Sequence, residues 1–520
     1  MKKVRIIVRL DIKGGNVIKG IQFECLRVMG KPGTMAAQYY LQGADELVYL
    51  DTVANLYQRQ KLIDIVRHAS ESIHIPFTIG GGVRSVDDVR ELLKAGADKV
   101  AINTEVTKNP RFIKEAAEMF GSQCIVASIE AKRKAGGKYE AYVDNGRQPT
   151  GLDAVEWALE AERLGAGEIL LTSVDMDGTE RGLDFDLIKA VSEALSISLV
   201  VSGGVGGIED FEECITKYNV DGVAAASIFH YNKYNLADVK DRLVDRGLAV
   251  RRTSSKVNVS TDAQQEYDIE NYNKFTLNQL EDEEMRVENV YYGIKEEKDV
   301  DDFDIGVINY GINNLKSVLT AFERLGKRVH CVDTPEDILA SKCLVMPGVG
   351  AFKEGMAGLA AKRLIEPIKE KVASGTPMLG ICLGMQMFFS ESGEFGLHKG
   401  LGLIPGKVVS FMAGGEAYGR KCKIPHIGWN ELTVPSFGKA SHWEETVLKD
   451  IEERSNVYFV HSFYAVPDNP ENVIATVEYG GQEVCVVAQH GNVTAMQFHP
   501  EKSGEVGLKM LKGFCDRNGM

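Results

Sequence analysis

One cysteine, Cys382, is flanked by glycines in Gly380-Ile381-Cys382-Leu383-Gly384-Met385-Gln386. An apolar run, Pro377 to Ile381, leads into it, and Met385 to Phe389 reads as the start of an amphipathic helix. Strand, tight turn and helix in that order hold a side chain up at the end of a sheet, with backbone N–H groups of the turn placed to bind a developing oxyanion. A helix start also favours a thiolate. Most unpaired cysteines are merely buried, so the motif needs partners. Ala495-Met496-Gln497-Phe498-His499-Pro500-Glu501 supplies them, because Pro500 stops a regular strand and is expected to leave His499 displayed. A histidine there takes the thiol proton, and Glu501 orients the ring and stabilises its charged form. Seven of the ten histidines lie in this half, so the joint motif carries the reading. The glycine-rich Pro347–Phe352 loop offers the N–H of Val349 or Gly350 beside that of Leu383 as oxyanion donors.

A second set of chemical groups lies in the first half. Asp11 and Glu130 each end an apolar run, as two carboxylates suited to general acid and base work would. Gly80-Gly81-Gly82 and Gly203-Gly204 are glycine turns after strands, and Asn103-Thr104 and Ala226-Ser227 follow the neighbouring strands. Such turns present backbone N–H groups and hydroxyls to phosphate. Asp177-Gly178-Thr179 joins the second cradle, and two facing cradles suit a small substrate phosphorylated at both ends. At the opposite ends of the strands, Arg5, Glu46, Lys99 and Glu168 each open an apolar run. Two cations and two anions there form either a structural salt-bridge layer or something for a partner beneath the floor.

The elements that must position these groups repeat. Apolar strands at Val4–Leu10, Glu46–Leu50, Pro76–Ile79, Lys99–Ile102, Cys124–Ile129, Glu168–Thr172, Ser198–Val201 and Gly222–Ala225 alternate with helical patterns, the signature of βαβ units. Ile75-Pro76-Phe77-Thr78-Ile79-Gly80-Gly81-Gly82 recurs as Ile197-Ser198-Leu199-Val200-Val201-Ser202-Gly203-Gly204, as two half-barrels would. Eight strands in about 250 residues is the size of a (β/α)8 TIM barrel, predicted over 1–252. The stretch 253–302 holds 14 acidic against 5 basic residues without hydrophobic period and reads as an acidic linker, with a short helix near Leu277–Met285. From 303 to 520 a second α/β unit follows, with strands at Asp304–Ile308, Cys343–Met346 and Pro377–Ile381.

Composition narrows the class. Net charge is −14, most of it in the linker, which argues against a nucleic acid or membrane partner. No apolar stretch reaches membrane-spanning length, the nine cysteines never fall in C-x-x-C spacing, and a cytoplasmic enzyme without metal or cofactor is expected.

Arg9-Leu10-Asp11-Ile12-Lys13-Gly14-Gly15-Asn16, Ile79-Gly80-Gly81-Gly82-Val83-Arg84, Pro149-Thr150-Gly151-Leu152-Asp153 and Asp177-Gly178-Thr179 resemble the cyclase subunit of imidazole glycerol phosphate synthase over residues 1–250. The second half is similar to that synthase's class I glutamine amidotransferase partner over 304–517, through the Cys382 and His499 motifs, His426-Ile427-Gly428-Trp429-Asn430 and Tyr458-Phe459-Val460-His461-Ser462-Phe463-Tyr464. The resemblance implies glutamine hydrolysis by Cys382, His499 and Glu501, with Gln386 on the glutamine. It implies ammonia entry through a gate of Arg5, Glu46, Lys99 and Glu168. In the barrel, the ammonia condenses with a bis-phosphorylated ribulosyl aminoimidazole intermediate, giving imidazole glycerol phosphate and an aminoimidazole carboxamide ribonucleotide. Two positions depart from the family: aspartate is usual where this chain has Glu130, and cysteine where it has Arg9. Both features resemble a paralogous branch whose barrel delivers ammonia to a separate sugar amidotransferase in surface-polysaccharide synthesis.

Overall fold

The computed structural model describes residues 2–52, 56–253, 304–311, 315–411, 422–437 and 443–520. The expected linker and its helix near Leu277–Met285 lie outside them. Eight parallel strands form the first unit: β1 (Arg5–Lys13), β2 (Glu46–Asp51), β3 (Phe77–Gly80), β4 (Lys99–Ile102), β5 (Ile125–Arg133), β6 (Glu168–Ser173), β7 (Ser198–Ser202) and β8 (Gly222–Ala225). Each pairs with its neighbours in order and β8 pairs with β1, closing a TIM barrel. Strands β1 and β5 run longer than their apolar cores suggest. Each continues into antiparallel excursions at the mouth: Asn16–Ile21 with Glu24–Gly30 beside β1, and Tyr139–Val143 with Gln148–Asp153 beside β5.

Side chains alternate across a strand, so every second residue of β1 enters the barrel. Arg5, Ile7, Arg9 and Asp11 thus stack from floor to mouth. Above the Arg5 level, Ile7, Val48, Ala101, Val126, Leu170, Val200 and Ala224 form a separate buried apolar cluster.

The second unit has a parallel core of β9 (Ile305–Ile308), β10 (Val329–Val332), β11 (Leu344–Gly348), β12 (Met378–Cys382) and β13 (Val493–Met496), in the order β10-β9-β11-β12-β13. Antiparallel strands extend this sheet beyond β13. A separate ribbon, His426–Glu431 paired with Asn456–His461, joins the two units. Its alternation divides its side chains: Ile427, Trp429, Tyr458 and Val460 belong to the barrel's buried core, while Val457 and Phe459 belong to their own domain's. The barrel extends the ribbon in return, with Lys3 N–H donating to Trp429 O at 2.9 Å.

Candidate active sites

Cys382 ends β12 at φ 54°, ψ −109°, a conformation that non-glycine residues adopt only when surroundings enforce it. The neighbouring glycines are what permit it. A Cβ on Gly384 would lie 1.8 Å from Met346 O, and one on Gly380 2.5 Å from the Phe388 ring. The helix that follows, Leu383–Met387, is only five residues long and every residue in it is buried. It is therefore not the amphipathic helix expected from Met385 to Phe389, because it is sandwiched inside the domain and the chain returns to strand at Phe389. The parallel register sets Gly348 beside Cys382, which brings the Val349–Gly350 loop to the elbow next to Leu383.

His499 departs from expectation: it is 4% exposed rather than displayed. The strand already ends at Met496, before Pro500 is reached, and Pro500 instead opens a short helical turn, Pro500–Lys502. The barrel floor then packs over that turn, with Gly504 N–H donating to His74 O at 3.0 Å and Lys502 Nζ lying 3.0 Å from Asp98. His499 Nδ1 is 2.7 Å from Glu501 Oε1. Burial disfavours a charged imidazole, yet Cys382 and Glu501 outweigh it and hold the ring well above its ordinary pKa. Cysteine, histidine and glutamate are therefore together in a buried site.

Gln386 is also buried here, its amide nitrogen donating to Phe463 O at 2.9 Å and Gln497 Oε1 at 3.1 Å. Gln497, to which the motif assigns no role, has its Nε2 3.8 Å from Cys382 Sγ. Nor does the motif assign one to Glu394, a buried carboxylate that burial pushes up to about 7 and that accepts the Phe352 N–H at 2.6 Å. Neither has a signal in spacing, because Gln497 reaches the sulfur, and Glu394 the Pro347–Phe352 loop, only through folding.

On the barrel floor the four charges close into a ring. Arg5 contacts Glu46 at 2.6 Å, Lys99 contacts Glu46 at 2.8 Å, and both cations contact Glu168. All four are at most 1% exposed. Burial would raise the Glu168 carboxyl, but Arg5 and Lys99 pull it down to about 2. Ser198 and Thr78 hydroxyls donate to Glu168 and Glu46, leaving the carboxylates well satisfied. The ring faces the second unit across Tyr458, whose buried hydroxyl has no hydrogen-bond partner among the described residues and which senses Glu46, Arg5 and Glu168 electrostatically. Tyr458 O also accepts the His499 N–H at 3.1 Å. One residue thus hydrogen-bonds the histidine and lies within electrostatic reach of the ring.

At the mouth, a cavity of about 410 Å³ is lined by Gly81, Gly82, Asn103, Thr104, Arg9 and Glu130, with Arg84 and Lys108 at its edge. The second cradle, Asp177, Gly178, Gly203, Gly204, Ala226 and Ser227, encloses only about 10 Å³. Lys19, from the β1 excursion, is seated there with its Nζ 2.8 Å from Asp177 and 3.9 Å from Asp11. Between the cradles, Arg9 donates from Nε to Asp11 at 2.8 Å and from Nη1 to Thr172 at 2.9 Å. The two carboxylates are consequently split in acidity. Burial raises Asp11, but Arg9 and Lys19 reverse this and hold it below its usual range. Burial pushes Glu130 up to about 7, although Arg9 and the Gly146 N–H, 2.7 Å away, oppose it. Such a pair contains one base and one acid near neutrality. No group of three or more metal-ligating side chains occurs among the described residues.

Comparison with known proteins places both units. A model of the histidine biosynthesis protein family matches residues 5–235, and one for class-I glutamine amidotransferases matches 306–517. The imidazole glycerol phosphate synthase subunit HisF of Legionella pneumophila is 57% identical over 211 residues, covering 41% of this chain and all of that protein. The chain belongs to the histidine biosynthesis protein family. The subunit of the same name from Streptococcus mutans is 48% identical over 251 residues, covering 48% of this chain and all of its own length. The chain is thus an enzyme that joins a family barrel of the HisF type to a class-I glutamine amidotransferase domain on one polypeptide. No helix among the described residues is long and apolar enough to cross a membrane.

Proposed function

We propose that the chain is a self-contained imidazole glycerol phosphate synthase. Cys382 Sγ attacks the glutamine carboxamide while His499 takes the thiol proton and Glu501 steadies the imidazolium. The N–H groups of Leu383 and of Val349 or Gly350 receive the oxyanion. Collapse of that intermediate breaks the C–N bond, His499 returns the proton to the leaving ammonia, and water then hydrolyses the thioester to glutamate. Ammonia passes the ring of Arg5, Glu46, Lys99 and Glu168 and rises along the apolar barrel lining, where it stays unprotonated. At the mouth it meets a bis-phosphorylated ribulosyl aminoimidazole intermediate held at Gly81, Gly82, Asn103 and Thr104 on one side and at Asp177, Gly178, Gly203, Gly204, Ala226 and Ser227 on the other. Asp11 and Glu130 move the protons of ring closure. The observation that carries this reading is Tyr458, which hydrogen-bonds the His499 backbone and faces the charged ring. A second reading is favoured by Arg9, which occupies Asp11. In that reading the barrel is a conduit and docking module that hands ammonia to a separate sugar amidotransferase. The deciding experiment supplies the ribulosyl intermediate with ammonium salt. Formation of imidazole glycerol phosphate, and rescue of a histidine auxotroph, supports the synthase; no product, with none restored by Glu130→Asp, supports the conduit.

A further inference from the structure

The sulfur of Cys382 has a neighbour outside the Cys-His-Glu set. Gln497 is fully buried at the end of β13, with its Nε2 3.8 Å from Sγ and its Oε1 3.1 Å from Gln386 Nε2. Which end of a glutamine amide is nitrogen is settled by its partners. Here the chain of partners begins at a group that can only accept, the Phe463 carbonyl, which takes Gln386 Nε2 at 2.9 Å and His461 Nδ1 at 2.8 Å. Gln386 must therefore present nitrogen on that side, and the same nitrogen reaches Gln497 Oε1. With its oxygen so used, Gln497 can present only N–H to Cys382. The other branch agrees. Burial lowers His461 to about 4, so it is neutral at working pH. With its proton on Nδ1, its Nε2 accepts from His426 Nδ1 at 3.1 Å.

We propose that Gln497 is a further catalytic residue of the glutaminase site, a fixed amide donor that favours Cys382 as thiolate, with Gln386 as the residue that locks its orientation. A donor aimed at sulfur stabilises the charged form over the neutral one. It complements His499, which accepts the proton, and it opposes the cost of a thiolate in a buried pocket. It also gives the buried Gln386 amide a function that needs no contact with glutamine. This assignment rests on Cys382 being the nucleophile.

The test uses the full chain and three variants, Gln497→Met, Gln497→Glu and Gln386→Met. The pH dependence of Cys382 alkylation by iodoacetamide is read by mass spectrometry on the Cys382 peptide, with kcat and KM for glutamine and thermal melting alongside. Losing a hydrogen bond to a charged group should move the alkylation midpoint of Gln497→Met upward by about one to two pH units. At neutral pH its kcat should fall roughly ten- to a hundredfold while KM changes far less. Gln497→Glu, which is isosteric but places a carboxylate against sulfur, should move the midpoint further. Gln386→Met should move it in the same direction by less, since it removes the lock and leaves the donor. Folded variants that titrate as the wild type overturn the proposal. If Gln497→Met does not fold, the same criterion is applied to the Glu and Gln386 variants. Retention of glutamine hydrolysis by Cys382→Ala would instead remove the nucleophile assignment itself. An inactive Cys382→Ala with unshifted Gln497 variants removes only the role of Gln497.

Discussion

Replacing Glu130 with glutamine should stabilise the protein, and only above acid pH. Glu130 is buried beside Arg9, and its carboxyl is pushed from an ordinary 4.5 to about 7. Below pH 4.5 both the folded and the unfolded chain hold the proton, so Glu130 and a glutamine are nearly equivalent. Between 4.5 and 7 the unfolded chain releases the proton and the fold does not, so wild-type stability falls as pH rises. Above 7 the fold carries a buried carboxylate and the loss levels off. A displacement of this size corresponds to about 3 kcal/mol. Glutamine keeps an acceptor for the Gly146 N–H and does not titrate. Melting of the full chain, followed through the barrel transition at pH 5, 6, 7 and 8, should show a difference between Glu130→Gln and wild type that opens with pH to roughly 6 °C or more. The ammonium-driven barrel reaction should show a limb near pH 7 in the wild type, and the variant, which cannot move that proton, should lose most of its rate at every pH. A melting difference that is the same at pH 5 and pH 8 would refute the argument, since it would mean that Glu130 ionises in the fold as freely as in the unfolded chain.

Cys382→Ser should lower glutamine-driven turnover at least a thousandfold, by analogy with other triad nucleophiles, while ammonium-driven turnover of the barrel stays at wild-type level; a parallel loss of both would show that the two sites are not separable. Glu46→Gln breaks the ring and leaves Arg5 and Lys99 to share Glu168, which should cost about 3–5 kcal/mol, measured by melting. The fraction of hydrolysed glutamine appearing as barrel product, assayed as glutamate against product, should fall in the same variant. Lys502→Ala removes the Asp98 contact beside the triad turn. Glutaminase activity, expected to be low until the barrel is occupied, should then respond less to a barrel ligand, a change seen by comparing glutamate release with and without that ligand. Arg9→Ala should return the Asp11 carboxyl toward or above its usual range, because burial would act with Lys19 as its main remaining counterweight; the acidic limb of the ammonium-driven rate should move to higher pH.

The chain's order of apolar runs determined much of this protein. Eight strands, their spacing and the half-barrel repeat follow from residues that are buried on both faces, and the floor charges and mouth carboxylates follow from where those runs begin and end. The cysteine elbow was equally legible, because glycines flank Cys382 at 380 and 384, although the groups that crowd them, the Phe388 ring and Met346 O, are brought there by the fold. What sequence left open depended on which surface covers which. His499 stands before Pro500 and reads as displayed, but it is buried, and the barrel packs on the turn after it through contacts hundreds of residues away. Lys19 carries no role in the sequence reading, yet the hairpin after β1 folds it into the second cradle against Asp177. Arg9 could be seen beside Asp11, while its reach across to Thr172 needed the barrel to close. The direction of the Gln497 amide is the most nonlocal of all, since it is set by a carbonyl on another strand through an intermediate side chain. Local periodicity and backbone sterics decide where a strand turns. Hydrogen-bond direction and the burial of a charge are decided by the groups that converge on it, and only the tertiary structure brings those together.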